Sequence, residues 1–382
     1  MSNTTVKPEQ GSKLSLRAGK LPKGATWMVA IGSIIVAIVL GMLMTGGFNI
    51  PLIALLAGVL NFIVLYAWSR TVEGKRKATD RVATTLVTSS FVIALIPLIS
   101  LLWMTLVRGG PVILESPTVL SRTMEGMKGI YDQDYVAGEG ELLGGFYHSI
   151  IGTVLITLAA CIISIPIGVF TAIYLVEYAG RNTLGKAITF LVDVMTGIPS
   201  IVAGLFAFAL FGTFLTLVDP GGIGSAKMGI SAAVALSVLM VPIVVRNTEE
   251  ILRLVPMDLR EATYALGVPK WKTIVRIVLP TAISGILSGI TIAIARVIGE
   301  TAPIMVTAGF ARNLNWDLFG GWMSTLPTFI YDSQMRPTSP GVAAAASSDR
   351  AWAAALVLIV LVMVLNLIAR LLAKYLAPKG AR

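Results

Sequence analysis

Long apolar runs, separated by short polar and often basic stretches, set the pattern of this chain. Eight stand out: residues 27–45, 50–69, 83–107, 146–176, 187–217, 228–246, 281–308 and 352–375. Each is close to or above the roughly 20 apolar residues that a helix needs to cross the hydrocarbon core of a bilayer. Alternating strands of the outer-membrane barrel type are absent. The pattern predicts an all-α integral membrane protein: a polytopic helical bundle of about eight transmembrane helices. The longer runs allow for tilt. Pro97 falls inside the third span, where neighbouring groups can re-satisfy the freed carbonyl. The first run follows a polar tail with no evident small-residue cleavage site, so it is expected to be a retained helix.

Composition supports this reading. The 382 residues are 55% hydrophobic and 13% charged, with a mean hydropathy of +0.83. Soluble domains are about 25% charged. The net charge of +10 would suggest nucleic acid in a soluble protein, but loop asymmetry across a bilayer explains it without a nucleic-acid partner. Of the 30 Lys and Arg residues, 22 fall in the termini and alternate connections. They include Lys7, Lys13, Arg17, Lys20 and Lys23 in the tail, Arg70, Lys75, Arg76, Lys77 and Arg81 in the second connection, and Arg181 and Lys186 in the fourth. Only seven lie on the opposite side: Arg108, Arg122, Lys128, Lys227, Arg312, Arg336 and Arg350. The positive-inside rule then places both termini in the cytoplasm.

The chain divides by pattern into a basic cytoplasmic tail (1–25), an N-terminal transmembrane hairpin (26–70), a basic cytoplasmic linker (71–82) and a six-span core (83–378). The outer loop 109–145 carries Glu115, Glu125, Asp132, Asp134, Glu139 and Glu141 without EF-hand spacing, so a solvated face is expected. A single cysteine, Cys161, lies in an apolar run and is expected to be a small core residue. A single histidine, His148, starts the fourth span and is expected to be interfacial. One Cys and one His leave no material for an internal disulfide, a Cys-cluster metal site or a His-based catalytic triad. No metal, cofactor or catalytic residue is expected in this chain.

The longest cytoplasmic connection runs from Arg246 to Pro280. It keeps helical periodicity where a passive linker would be rich in Gly and Ser. Ile251, Leu252, Leu254 and Val255 form a short amphipathic segment that Pro256 interrupts. A second helix is expected to begin near Met257 or Asp258, with Asp258 and Glu261 in its early turns where the dipole favours negative charge. Gly267 is placed to end it. The result is a helix–turn–helix elbow at the membrane face.

Within this elbow, "EATYALGVPKWKTIVRIVLP" resembles the EAA loop of ABC importer permeases. Glu261, Ala262, Gly267, Ile277, Leu279 and Pro280 stand at the motif positions, and Thr263 replaces the usual third alanine. The resemblance implies that the loop docks in a cleft of a cytoplasmic ATPase, with Glu261, Ala262 and Gly267 as coupling residues. Three further stretches resemble the phosphate-specific members. They are "DVMTGIPSIVAGLFAFALFG" (193–212), "IARVIGETAPIMVTAGF" (294–310), and "LPTFIYD" followed by "RAWAAALVLIVLVMVLNLIARLLAK"; the last is similar to the PstA-like subunit. This implies a six-helix permease core in a bacterial plasma (inner) membrane. It also implies a PstC-like second permease, a PstB-like ATPase dimer and a PstS-like extracytoplasmic phosphate-binding protein. No Walker A pattern occurs here, so ATP and Mg belong to the partner ATPase and this chain is a permease rather than the hydrolase. The alternatives are another oxyanion, sulfate or molybdate, or a secondary anion transporter. The last of these has no ATPase to dock.

Arg296 and Glu300 interrupt the seventh run. An Arg at the centre of a membrane helix costs about 2.5–3.5 kcal/mol on insertion scales, so Arg296 is expected to be paired with Glu300 one turn on, hydrated, or both. On a continuous helix, Gly285, Gly289, Ala293, Arg296, Glu300, Pro303 and Thr307 share one face about 80° wide. Leu287, Ile294, Ile298 and Met305 lie opposite. The small residues Gly285, Gly289 and Ala293 permit close helix packing. The Arg296–Glu300 pair is therefore expected to face into the protein, as part of an anion path or as a lock between helices.

Overall fold

The computed structural model describes residues 21–22, 24–180, 182–218 and 226–376. Lys7, Lys13, Arg17, Lys20, Lys23, Arg181, Lys379 and Arg382 of the charge census lie outside the described residues. Among the described residues every regular element is helical, and eight helices are long and apolar enough to span a membrane.

Two compact units divide the chain, 1–102 and 103–382. In the first, α1 (Ala25–Thr45) and α2 (Ile50–Glu73) form an antiparallel hairpin. Its seam is a stripe at every fourth position of α1: Ala25, Val29, Ser33, Ala37 and Gly41 are buried. A methyl group at Gly41 would lie 2.7 Å from Ile53 Cγ1, so only glycine admits this approach. Asn49 caps α2 through its side chain. The basic stretch expected as a linker is itself helical: α3 (Lys75–Glu115) begins one residue after α2 ends, across Gly74 at φ +87°. The buried Glu73 carboxylate secures this corner, accepting from Arg81 Nη2 at 2.9 Å and from the Leu21 backbone N–H at 3.0 Å.

The second unit contains the end of α3, then α4 (Gly129–Ala137), α5 (Tyr147–Ile173) with a π-helical turn Tyr174–Tyr178, and α6 (Thr183–Thr196). It continues with α7 (Ser200–Val218), α8 (Gly229–Leu254), α9 (Met257–Ala265), and α10 (Lys270–Thr273) with a π turn Ile274–Val278. It ends with α11 (Leu279–Val297), α12 (Ala302–Thr307), α13 (Leu326–Met335) and α14 (Ala344–Leu376). Helix α8 lies at the centre, packed by α5, α11, α7, α6 and α12. Glycines set its close contacts. Methyl groups would meet Val244 Cγ1 at 2.6 Å from Gly168, Ile251 Cγ2 at 2.7 Å from Gly285 and Asn247 Cβ at 2.7 Å from Gly289.

The structure corrects several expectations. The span 187–217 is two helices, broken at Gly197–Pro199. Proline lacks the N–H that would continue the ladder and restricts the residue before it. The span 228–246 and the amphipathic segment after it are one helix, α8. His148, at the start of α5, is buried within the protein: it is 2% exposed, with its ring edge-on to Phe329 at 5.8 Å. Cys161 is buried and free. The outer loop is not uniformly solvated. Asp132 on α4 is 1% exposed and Arg350 on α14 is fully buried, and they form a bidentate pair at 2.9 and 2.6 Å. Arg350 also donates to Leu143 O and Ser347 Oγ. Glu115, Glu125, Glu139 and Glu141 remain exposed.

Candidate functional site

The span 281–308 carries the main correction. Helix α11 ends at Val297, Ile298 and Gly299 turn, and α12 begins at Ala302 with Pro303 in its first turn. Pro303 has no N–H to offer the carbonyl of Gly299, and Gly299 is a poor helix former. Arg296 and Glu300 therefore do not sit one turn apart on one helix. Arg296 is exposed on the last turn of α11, and Glu300 is half-buried in the break. Among the described residues neither side chain makes an ion pair or a hydrogen bond. The helical face drawn through Thr307 ends at Val297. Gly289 and Ala293 are buried and Gly285 half-buried against α8, but Arg296 does not share that burial.

The break is held from several sides. Glu300 N–H donates to Val297 O at 3.1 Å, Met228 N–H to Thr307 O at 3.0 Å and Met323 N–H to Ala308 O at 3.0 Å. A methyl group at Gly204 of α7 would lie 2.7 Å from Pro303 Cα. Non-helical backbone at membrane depth survives where protein or a cavity covers it, and here α7, α8 and the segment before α13 supply the cover. That segment is closed by Ser324, whose hydroxyl accepts from Ala311 N–H and donates to Ala311 O, and by Thr153 Oγ1, which accepts from Leu326 N–H at 2.8 Å.

At the opposite end of α8 the elbow forms as its pattern indicates. Helix α9 spans Met257–Ala265, and Gly267 follows at φ +71°. Glu261, Ala262 and Gly267 are exposed, as are Leu254, Met257, Leu266 and Trp271. A run of exposed large apolar side chains beside a carboxylate marks an interaction surface. Ile277, Leu279 and Pro280 are half-buried where the elbow leads into α11.

Only one α9 residue is buried, Arg260, and nothing in its local sequence marks it out. Its Nε and Nη2 donate to Glu177 Oε1 at 3.1 and 2.8 Å. Its Nη1 donates to Val255 O at 2.7 Å and its Nη2 to Leu252 O at 3.0 Å. Glu177 lies in the π turn after α5, and Leu252 and Val255 end α8. The guanidinium thus caps the C-terminus of α8, where the dipole favours a cation. Lys270 stacks over Tyr178 at 5.1 Å and donates to Glu177 O. Beside this, Asp193 of α6 pairs with Arg246 of α8, and the buried Glu249 binds Arg246 at 3.0 Å and Arg253 at 3.2 Å. Asp193 is thus an exposed partner in a network that joins α6 to α8.

Eight helices long and apolar enough to span a membrane, a break between α11 and α12 and an exposed elbow define a multi-pass helical membrane protein. The chain belongs to the family described as the binding-protein-dependent transport system inner membrane component, whose model matches residues 164–381. The phosphate transport system permease protein PstA 1 of Mycobacterium tuberculosis is 43% identical over 308 residues, covering 81% of this chain and 91% of that protein. The PstA protein of Mycobacterium leprae is 43% identical over 298 residues, covering 78% and 90%. That of Yersinia pestis is 38% identical over 233 residues, covering 60% and 72%.

Proposed function

We propose that this chain is a transmembrane permease subunit of an ATP-driven, binding-protein-dependent importer of inorganic phosphate. The names of its relatives support the substrate. The observation that carries the site is the unpaired guanidinium of Arg296 beside a helix break. A permanently charged planar fork suits phosphate oxygens, and with no carboxylate bound to it the charge is open to a passing anion. Glu300, in the break that follows α11, adds a negative charge that keeps the hold weak enough for the ion to leave. The six-span core runs from 83 to 378, and the hairpin 26–70 is an addition to it.

In this reading both termini are cytoplasmic in a bacterial inner membrane, and the exposed face of α9 docks on a PstB-like ATPase dimer. A PstC-like permease completes the path, and a PstS-like protein delivers phosphate from outside. Hydrolysis of ATP with Mg takes place on the ATPase.

The test is uptake of radiolabelled phosphate by the assembled complex, with sulfate as competitor. Arg296→Gln is expected to leave the complex assembled and to remove uptake. Normal uptake by an inserted Arg296→Gln protein would sink the path role. Equal competition by sulfate would sink phosphate selectivity. Stable, active transport without an ATPase would favour a secondary transporter.

A further inference from the structure

The elbow needs more than a docking face. A nine-residue helix set on a membrane surface transmits force only if it is rigidly joined to the spans behind it. Isolated helices of this length are marginal, and eight of the nine α9 residues are exposed or half-buried. Among the described residues, α9 makes side-chain hydrogen bonds to the rest of the bundle through Arg260 and Thr263, besides packing against the π turn Ile274–Val278. The Thr263 hydroxyl lies 3.1 Å from that of Thr273, which ties α9 only to its own neighbour, α10. Among the described residues, Arg260 is the one α9 side chain that hydrogen-bonds to the π turn after α5 and to the end of α8.

We propose that the Arg260–Glu177 pair is the joint through which movement of α9 reaches α5 and α8. The inference rests on the reading of α9 as the ATPase-docking helix. Four donor contacts from one planar guanidinium connect three segments: the π turn after α5, the end of α8 and α9 itself. Both side chains are at least 90% buried, at 8% and 5% exposure, so solvent does not screen the pair and neither charge has an alternative partner in water. Two donors of the planar guanidinium, Nε and Nη2, converge on the single oxygen Oε1 of Glu177, so the contact resists separation. Lys270, donating to Glu177 O from the start of α10, closes the turn on its far side. Pulling α9 therefore pulls the ends of both spans. Arg260 and Glu177 are positioning residues; neither has a role on the substrate.

The asymmetry of the contacts makes a specific prediction. Two of the donor contacts of Arg260 go to backbone carbonyls at the C-terminus of α8, Val255 O and Leu252 O. Exchanging the two charges, Glu177→Arg with Arg260→Glu, would restore a simple ion pair but would place a carboxylate against those carbonyls. The swap should not rescue function, whereas Arg260→Lys should rescue it in part.

The experiment uses the whole complex in liposomes, with assembly measured by co-purification of the ATPase. ATP hydrolysed per phosphate imported is then compared between variants at equal complex. Glu177→Gln is expected to keep the ATPase bound and to raise that ratio by about tenfold, the scale of a lost charge-assisted hydrogen bond. Arg260→Lys should give a smaller rise. A Glu177→Gln complex with the wild-type ratio overturns the joint and leaves the importer reading intact. So does a charge swap that restores the ratio, because then the pair acts by charge alone. If Glu177→Gln does not fold, Arg260→Lys carries the same comparison, and an unchanged ratio there overturns the joint. Failure of the wild-type chain to bind an ATPase removes both readings and is recognised because it appears before any substitution.

Discussion

Two arginines of the second unit, Arg350 and Arg296, mark regions built on opposite terms. Arg350 starts α14 and is fully buried, with both terminal nitrogens bound to Asp132 and further contacts to Leu143 O and Ser347. Arg296 ends α11, is exposed, and has no polar partner among the described residues. In both places a full charge stands among apolar helices. In the first the chain supplies the whole environment of the charge. In the second it supplies a helix break and leaves the charge open. A buried pair resists the loss of either member because the remaining charge is stranded. An open charge can be neutralised at little cost to the fold, so the role proposed for it lies outside the chain. The contrast separates an arginine whose charge is satisfied within the chain from one that, in the proposed function, meets the transported anion.

Substitutions can break that contrast. The largest stability effect is expected at Asp132→Ala, which strands Arg350 and should cost about 3–5 kcal/mol. Thermal unfolding in detergent reads this, and an unshifted midpoint would show that the pair contributes nothing. Gly152→Ala follows: its methyl group would lie 2.0 Å from Ser324 O, and overpacking at such a contact costs about 1–3 kcal/mol. The same scan should show a lowered midpoint with the bundle still helical by circular dichroism. Glu300→Gln comes next. With no ion pair to lose, it should leave the assembled complex intact in detergent, and dissociation there would revive a lock between helices. The smallest shift belongs to Arg296→Gln, within about 0.5 kcal/mol, although uptake is expected to vanish. A large loss of stability at Arg296 would erase the distinction between the two regions.

Much of the architecture was legible because bilayers impose it. Apolar length alone located all eight helices. Proline and glycine spacing located the elbow, with Pro256 before α9 and Gly267 after it. The same local logic was misapplied twice. Pro199 and Pro303 sit in long, mainly apolar runs whose length reads as one span, so hydropathy conceals the breaks at 197–199 and 298–301. The Arg296–Glu300 pair rested on a helix that the second break ends. The burial of His148 was not legible, because its position at the start of a run says nothing of Phe329, which comes from α13.

The sequence by itself determined the membrane class, the number of spans, the exposed elbow and the presence of an arginine that a bilayer would not tolerate without reason. These follow from local quantities: apolar length, charge and the backbone limits of Pro and Gly. Only the tertiary structure decided which charges are satisfied. Asp132 and Arg350 are 218 residues apart and Glu177 and Arg260 are 83 apart, and no periodicity along the chain relates either pair. Whether a buried charge finds its partner depends on how helices pack, because electrostatic energy is set by distance and burial in space. The open state of Arg296 was settled in the same way, by a turn that carried Glu300 off its helix.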